Sequence, residues 1–118
     1  MICSPSGTGT GQGSVSANSF GAVPTTTWLH IAAWHDATAD TLNISINNGT
    51  ADSAAYLSSG VYAGNSSFLI SGINNGALWN FPGRIGPVAF WKNRTLDATA
   101  RSALWNGGAG LAYSAFTG

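Results

Sequence analysis

Trp79 stands in the stretch "NNGALWNFPG", with Asn74, Asn75 and Asn80 around it. An indole face packs against the apolar C–H patch of a pyranose ring, and carboxamides take its hydroxyls. An aromatic side chain in a loop among amides is therefore a pattern suited to holding a sugar. The competing reading is that Trp79 plugs the open end of a core, and the residues alone leave the two level. Trp28, Trp34, Trp91 and Trp105 fall in expected strands or a helix and are expected in the core. Tyr56, Tyr62 and Tyr113 are weaker candidates of the same kind as Trp79.

The acidic residues decide against catalysis. The chain has no glutamate, and its aspartates are Asp36, Asp40, Asp52 and Asp97. Two-carboxylate glycoside hydrolysis needs a pair about 5–10 Å apart, and no expected strand carries two on one face. His30 and His35, five apart on a strand, point to opposite faces and cannot share an ion there. No strained nucleophile turn of the G-x-S-x-G kind accompanies them. The chain is read as no enzyme. Asp36 and Asp40 bracket a short turn, and with Asn74 or Asn75 nearby they would offer calcium the oxygens it prefers. The simpler role for both is to hydrogen-bond the turn's own backbone.

Charge narrows the partners. Charged residues make up 7% of the 118, and four basic residues balance four acidic ones. Phosphate backbones need clustered Lys and Arg, so nucleic acid is excluded, as is a polybasic membrane contact. No apolar run is long enough to insert as a membrane helix. A neutral, charge-poor surface favours self-association, so a homo-oligomer or larger assembly is expected. Cys3 is the one cysteine, which leaves no intramolecular disulfide. The opening "MICSPSGTG" carries no basic and apolar leader pattern.

The elements that would position these side chains are mostly strands. Residues 1–25 are rich in Gly, Ser and Thr and read as an arm or irregular strand, with weak alternation over Val15–Phe20. Residues 26–118 read as one domain. Trp28 to about His35 is a strand, a five-residue loop from Asp36 to Asp40 follows, and "TLNISIN" alternates Leu42, Ile44 and Ile46 against Asn43, Ser45 and Asn47. Asn48-Gly49 is the expected tight turn. Short strand fragments are expected near Tyr56–Leu57 and Val61–Tyr62, a buried strand in "SSFLISGI", and another in "RIGPVAFWKN", where Pro87 marks a bulge or an edge. One short helix closes the chain. Asp97 is its N-cap, Leu96 a staple, Leu104 and Trp105 its sheet-facing residues, and Gly107 its C′ position.

In this order the pieces "WLHIAAWHDATADTLNISINNG", "SSFLISG" and "FPGRIGPVAFWKNRTLDATARSALWNGG" resemble the later part of a laminin G-like domain of the concanavalin A-like lectin/glucanase superfamily. Trp28, His30, Ile31, Ala32 and Asp36 carry the first part, Asn48 and Gly49 the second, and Phe81, Gly83, Ile85, Val88, Leu96 and Asp97 the last. The likeness spans about residues 26–108, and the tail resembles modules of phage and environmental bacterial proteins. It implies an all-β, antiparallel jelly-roll sandwich with one short C-terminal helix. That family has several strands before the Trp-His strand, and here only about 27 residues precede it. The sandwich is then reduced, or the chain is a fragment, or a neighbouring protomer completes it.

The resemblance implies a non-catalytic lectin-like module that binds glycan or polysaccharide through rim loops. Trp79, Asn74, Asn75 and Asn80 would be the sugar contacts, and Asp36 and Asp40 the calcium ligands. The alternative is a structural or adhesive protomer of a phage particle or extracellular filament. Either role places it outside a cell or on a virion surface.

Overall fold

The alternation in "TLNISI" sets the centre of the sheet. The computed structural model describes residues 2–3, 13–55, 70 and 81–115. Within them β1 (Ile2–Cys3) pairs antiparallel with β2 (Gly13–Ser14). A second antiparallel sheet runs in the order β3 (Ile31–Asp36), β4 (Thr41–Ile46), β5 (Asp52–Ala55). One helix, α1 (Ala98–Trp105), follows late in the chain. The described part is thus an antiparallel, strand-based fold with one short helix. It divides into two compact units: 1–62 together with 95–118, and 63–94.

Period-two alternation gives the three-stranded sheet two unlike faces. Ile31, Ala33 and His35 stand opposite Ile46, Ile44 and Leu42, and Ala54 extends this apolar face on β5. Val15 lies over it, packing with Leu42, Ile44 and Ala54. Leu42 is 0% exposed, and full burial of such a side chain contributes about 1.5–3 kcal/mol. The segment bearing Val15 is tied to β5 through Asp52, which accepts the Ser19 N–H at 2.9 Å and the Ser19 hydroxyl at 2.8 Å. The cover is partial, and Ile31 at the edge stays 61% exposed.

The other face is polar and buried. Asn43 and Ser45 are 6% and 4% exposed, and both have their hydrogen bonds made, as burial demands. Asn43 donates to the Thr41 hydroxyl at 3.0 Å and accepts the Ser53 hydroxyl at 2.5 Å. Ser45 donates to the Gly49 carbonyl at 2.8 Å.

Both hairpin turns depart in detail from expectation. The β4–β5 turn is centred on Asn47-Asn48, not Asn48-Gly49. Both asparagines have positive φ, 52° and 55°, and the Gly49 N–H closes the turn on the Ile46 carbonyl at 2.9 Å. Two left-handed residues make the hairpin turn whose twist suits its strands, and Asn tolerates that region. Between β3 and β4, strand pairing reaches Asp36 opposite Thr41, which leaves a four-residue loop.

Three other expectations need correcting. No strand forms over Val15–Phe20: pairing is confined to Gly13–Ser14, and Asn18–Phe20 is a 3-10 turn. No strand forms at 84–93 either, and every residue from 81 to 90 is exposed. Gly86-Pro87 interrupts that stretch, and proline has no N–H for a ladder. Trp28 is 64% exposed and not core, because β3 starts only at Ile31. In the second unit the described residues, 70 and 81–94, contain no helix or strand. The strand fragments expected at 56–57 and 61–62, and most of "SSFLISGI", lie outside the described residues.

Candidate functional site

An eight-residue helix is too short to persist alone in water, so α1 depends on its caps and on the sheet. The Asp97 carboxylate accepts the Ala100 N–H at 2.7 Å, the N-cap bond expected from sequence. At the far end Asn106 is the left-handed C-cap, with Gly107 beyond it at φ 61°. The Asn106 side-chain N–H group donates to the Gly110 carbonyl at 2.9 Å, which folds the exit back. Gly108 adopts φ 97° beneath the Trp105 ring, where a Cβ would come within 3.3 Å of the indole.

One side of α1 holds the sheet. Arg101 lies over Trp34, 4.1 Å from the ring centroid, and its guanidinium donates to the Leu96 carbonyl. Four residues on, Trp105 meets the His30 ring at 5.9 Å and 42°. The helix therefore runs back along β3, on the polar face of the sheet. Trp34 and Trp105 are half-buried.

His30 is anchored at its backbone by Asn47. It donates its N–H to the Asn47 side-chain oxygen at 2.9 Å and accepts the Asn47 N–H at 2.8 Å. Its Nδ1 is buried with no hydrogen-bond partner among the described residues. Burial lowers its pKa below the ordinary imidazole value, which favours the neutral ring.

Beside these contacts, between α1 and the β4–β5 turn, lies an open groove of about 730 Å³ that Arg101 also lines. Thr99, Ser102 and Asn106 form one wall at i, i+3 and i+7, the spacing of a single helical face. Asn48 and Gly49 of the β4–β5 turn form the other wall, Ser45 lies beneath, and Arg101 brings the one charged group. Hydroxyls and carboxamides that both donate and accept thus converge on a shared space.

Of the two aspartates expected at a calcium site, Asp36 closes its own turn. The Asp36 Oδ1 accepts the N–H groups of Thr38 and Ala39 at 2.9 and 3.0 Å, an Asx turn closing the hairpin. These bonds, first that from Ala39 and then that from Thr38, hold its pKa below the usual carboxylate value. Asp40 takes a left-handed φ of 54°, and its Oδ1 is buried without a hydrogen-bond partner among the described residues. Calcium takes six to eight oxygens. This loop offers two carboxylates, one of them already satisfied at Oδ1, and among the described residues no cluster of three metal-ligating side chains forms. By itself the loop does not fit a calcium ion. Trp79, Asn74, Asn75 and Asn80 lie outside the described residues. His35 lies within β3 opposite Leu42, and His30 precedes the strand by one residue.

No family model matches the chain, and no curated protein and no solved structure shows significant similarity to it. The groove was not foreseen from sequence. Its residues are ordinary surface types, and the one available signal was the hydroxyl and amide spacing at 99, 102 and 106.

Proposed function

We propose that this chain is a non-catalytic, lectin-like module that binds glycan in the groove between α1 and the β4–β5 turn. The observation that supports this reading is the convergence of Asn48, Thr99, Ser102 and Asn106 on one open space. Sugars present closely spaced hydroxyls, and such groups are bound by side chains able to donate and accept at once. Trp79, Asn74, Asn75 and Asn80, the contacts expected from sequence, are sugar-binding residue types in their own right. In this reading the three-stranded sheet is part of a concanavalin A-like sandwich acting outside a cell or on a virion.

The test is a glycan and polysaccharide panel read by calorimetry on the full chain and on Asn48→Gly. Glycine keeps the left-handed turn and removes the amide, so the melting temperature holds while affinity falls about tenfold. No binding across the panel, or Asn48→Gly binding as well as the parent, would refute the groove as a sugar site.

A second reading has its own support. Ile31, on the outer strand of the described sheet, and Trp28 just before it are 61% and 64% exposed, and exposed apolar side chains on an outer strand favour association with another chain. In that reading the module is a self-assembling protomer. Light scattering distinguishes it by a mass that rises with concentration in the parent and not in Trp28→Lys.

A further inference from the structure

The described lining of the groove carries one charged side chain, Arg101, which forms no ion pair among the described residues. Of four basic residues, Arg84, Lys92 and Arg94 lie within 84–94, and Arg101 alone is on α1. Among the described residues its partners are the Leu96 carbonyl and the Trp34 ring, neither of which neutralises it. The nearest carboxylate in sequence, Asp97, points to the helix N-terminus, where it accepts the Ala100 N–H.

A guanidinium has five N–H donors in a planar fork, and the Leu96 carbonyl takes one of them. Stacking on Trp34 and that bond together hold the group in place. Little side-chain entropy is then lost when a ligand engages the remaining donors. The matching ligand group is planar and anionic, since carboxylates accept such a fork in two parallel bonds.

We infer that the groove selects acidic saccharides, with a uronate carboxylate on Arg101 and the sugar hydroxyls on Asn48, Thr99, Ser102 and Asn106. The inference rests on the glycan-binding reading and adds the class of sugar. The groove volume of about 730 Å³ suits an oligosaccharide and falls within the usual range for ligand clefts. A lone small anion would leave the polar walls unused.

The experiment is calorimetric titration with oligomers of galacturonate, mannuronate and glucuronate. Each is paired with its methyl ester, which keeps the ring and hydroxyls and removes the charge. At least one acidic oligomer binds roughly tenfold or more tighter than its ester, and added salt narrows the gap. Arg101→Gln brings the ratio of acid to ester near one. Because Arg101 also docks the helix, Ser102→Asp is the second variant. It places a negative charge on an exposed groove residue, and it weakens the acidic oligomer more than its ester, lowering the acid-to-ester ratio while the melting temperature holds.

Acid and ester binding equally, or a preference untouched by both substitutions, overturns the acidic assignment and leaves glycan binding standing. Neutral glycans binding while every uronate fails has the same meaning. Failure of the uronates, their esters and the whole neutral panel overturns both.

Discussion

Truncating two apolar residues on one face of the sheet tests how that face is covered. Leu42 is 0% exposed beneath Val15, and Ile31, on the same face at the edge strand, is 61% exposed. Leu42→Ala removes a fully buried side chain and leaves a cavity, a change that costs about 2–5 kcal/mol. Val15 belongs to a segment held by the two Ser19–Asp52 bonds, and it can settle inward, which places the cost toward the lower end, about 2–3 kcal/mol. Ile31 has roughly two-fifths of its surface covered. Full burial contributes about 1.5–3 kcal/mol, so Ile31→Ala costs about 0.6–1.2 kcal/mol. Urea unfolding followed by circular dichroism measures both, with unchanged slopes confirming that stability alone moved. A cost at Ile31 equal to that at Leu42 would refute the open face and imply that another chain covers it in solution. A cost below about 1 kcal/mol at Leu42 would refute the core itself.

Asp97→Ala removes the bond to the Ala100 N–H and lowers stability by about 1 kcal/mol, with Asp97→Asn close to the parent, by thermal melts. Asn47→Ala forces alanine into a left-handed turn position and breaks the tie to His30. It costs about 1–2 kcal/mol by the same melts. Acidification acts through His30, whose folded-state pKa lies below the ordinary value of about 6.5. The unfolded chain binds the proton first, so stability is complete above about pH 6.5 and declines as pH falls from there toward the folded value. His30→Gln flattens that limb, and a limb unchanged by the substitution contradicts the assignment. Asp36 acts lower, because its carboxylate is favoured in the folded chain. Its contribution is complete above the ordinary carboxylate value and is lost as pH falls through the lowered one, which Asp36→Ala abolishes in melts below pH 4.

What could be read from the sequence was set by local rules. The alternation of Leu42, Ile44 and Ile46 against Asn43 and Ser45 needs only period two and one buried face, and the sheet follows it. Asp97 and Gly107 mark the helix ends through bonds and backbone angles made within a few residues. The turn at Asn47-Asn48 was missed by one residue because three residues in "NNG" all tolerate positive φ, and strand pairing chooses among them. Trp28 was misplaced because hydrophobicity says that a side chain prefers burial, not that a neighbour covers it. The groove was illegible for a different reason. Thr99 and Asn106 are ordinary on a helix and Asn48 is ordinary in a turn, and only the docking of α1 through Arg101 and Trp105 brings them together. That docking uses rings on the polar face of the sheet, where no hydropathy pattern points.

The tie between Ser19 and Asp52 spans 33 residues, and this bears on the order in which the chain assembles. The hairpin from Ile31 to Ile46 closes over a short loop, on the microsecond scale of local pairing. The cover over Leu42 comes from a stretch synthesised earlier, yet it cannot be fastened until Asp52 has left the ribosome. Closing so long a loop is entropically dearer than closing the hairpin. During synthesis the nascent sheet therefore shows a bare apolar side for as long as that interval lasts. In this window chaperones, or sister chains on the same polysome, have their best access to it.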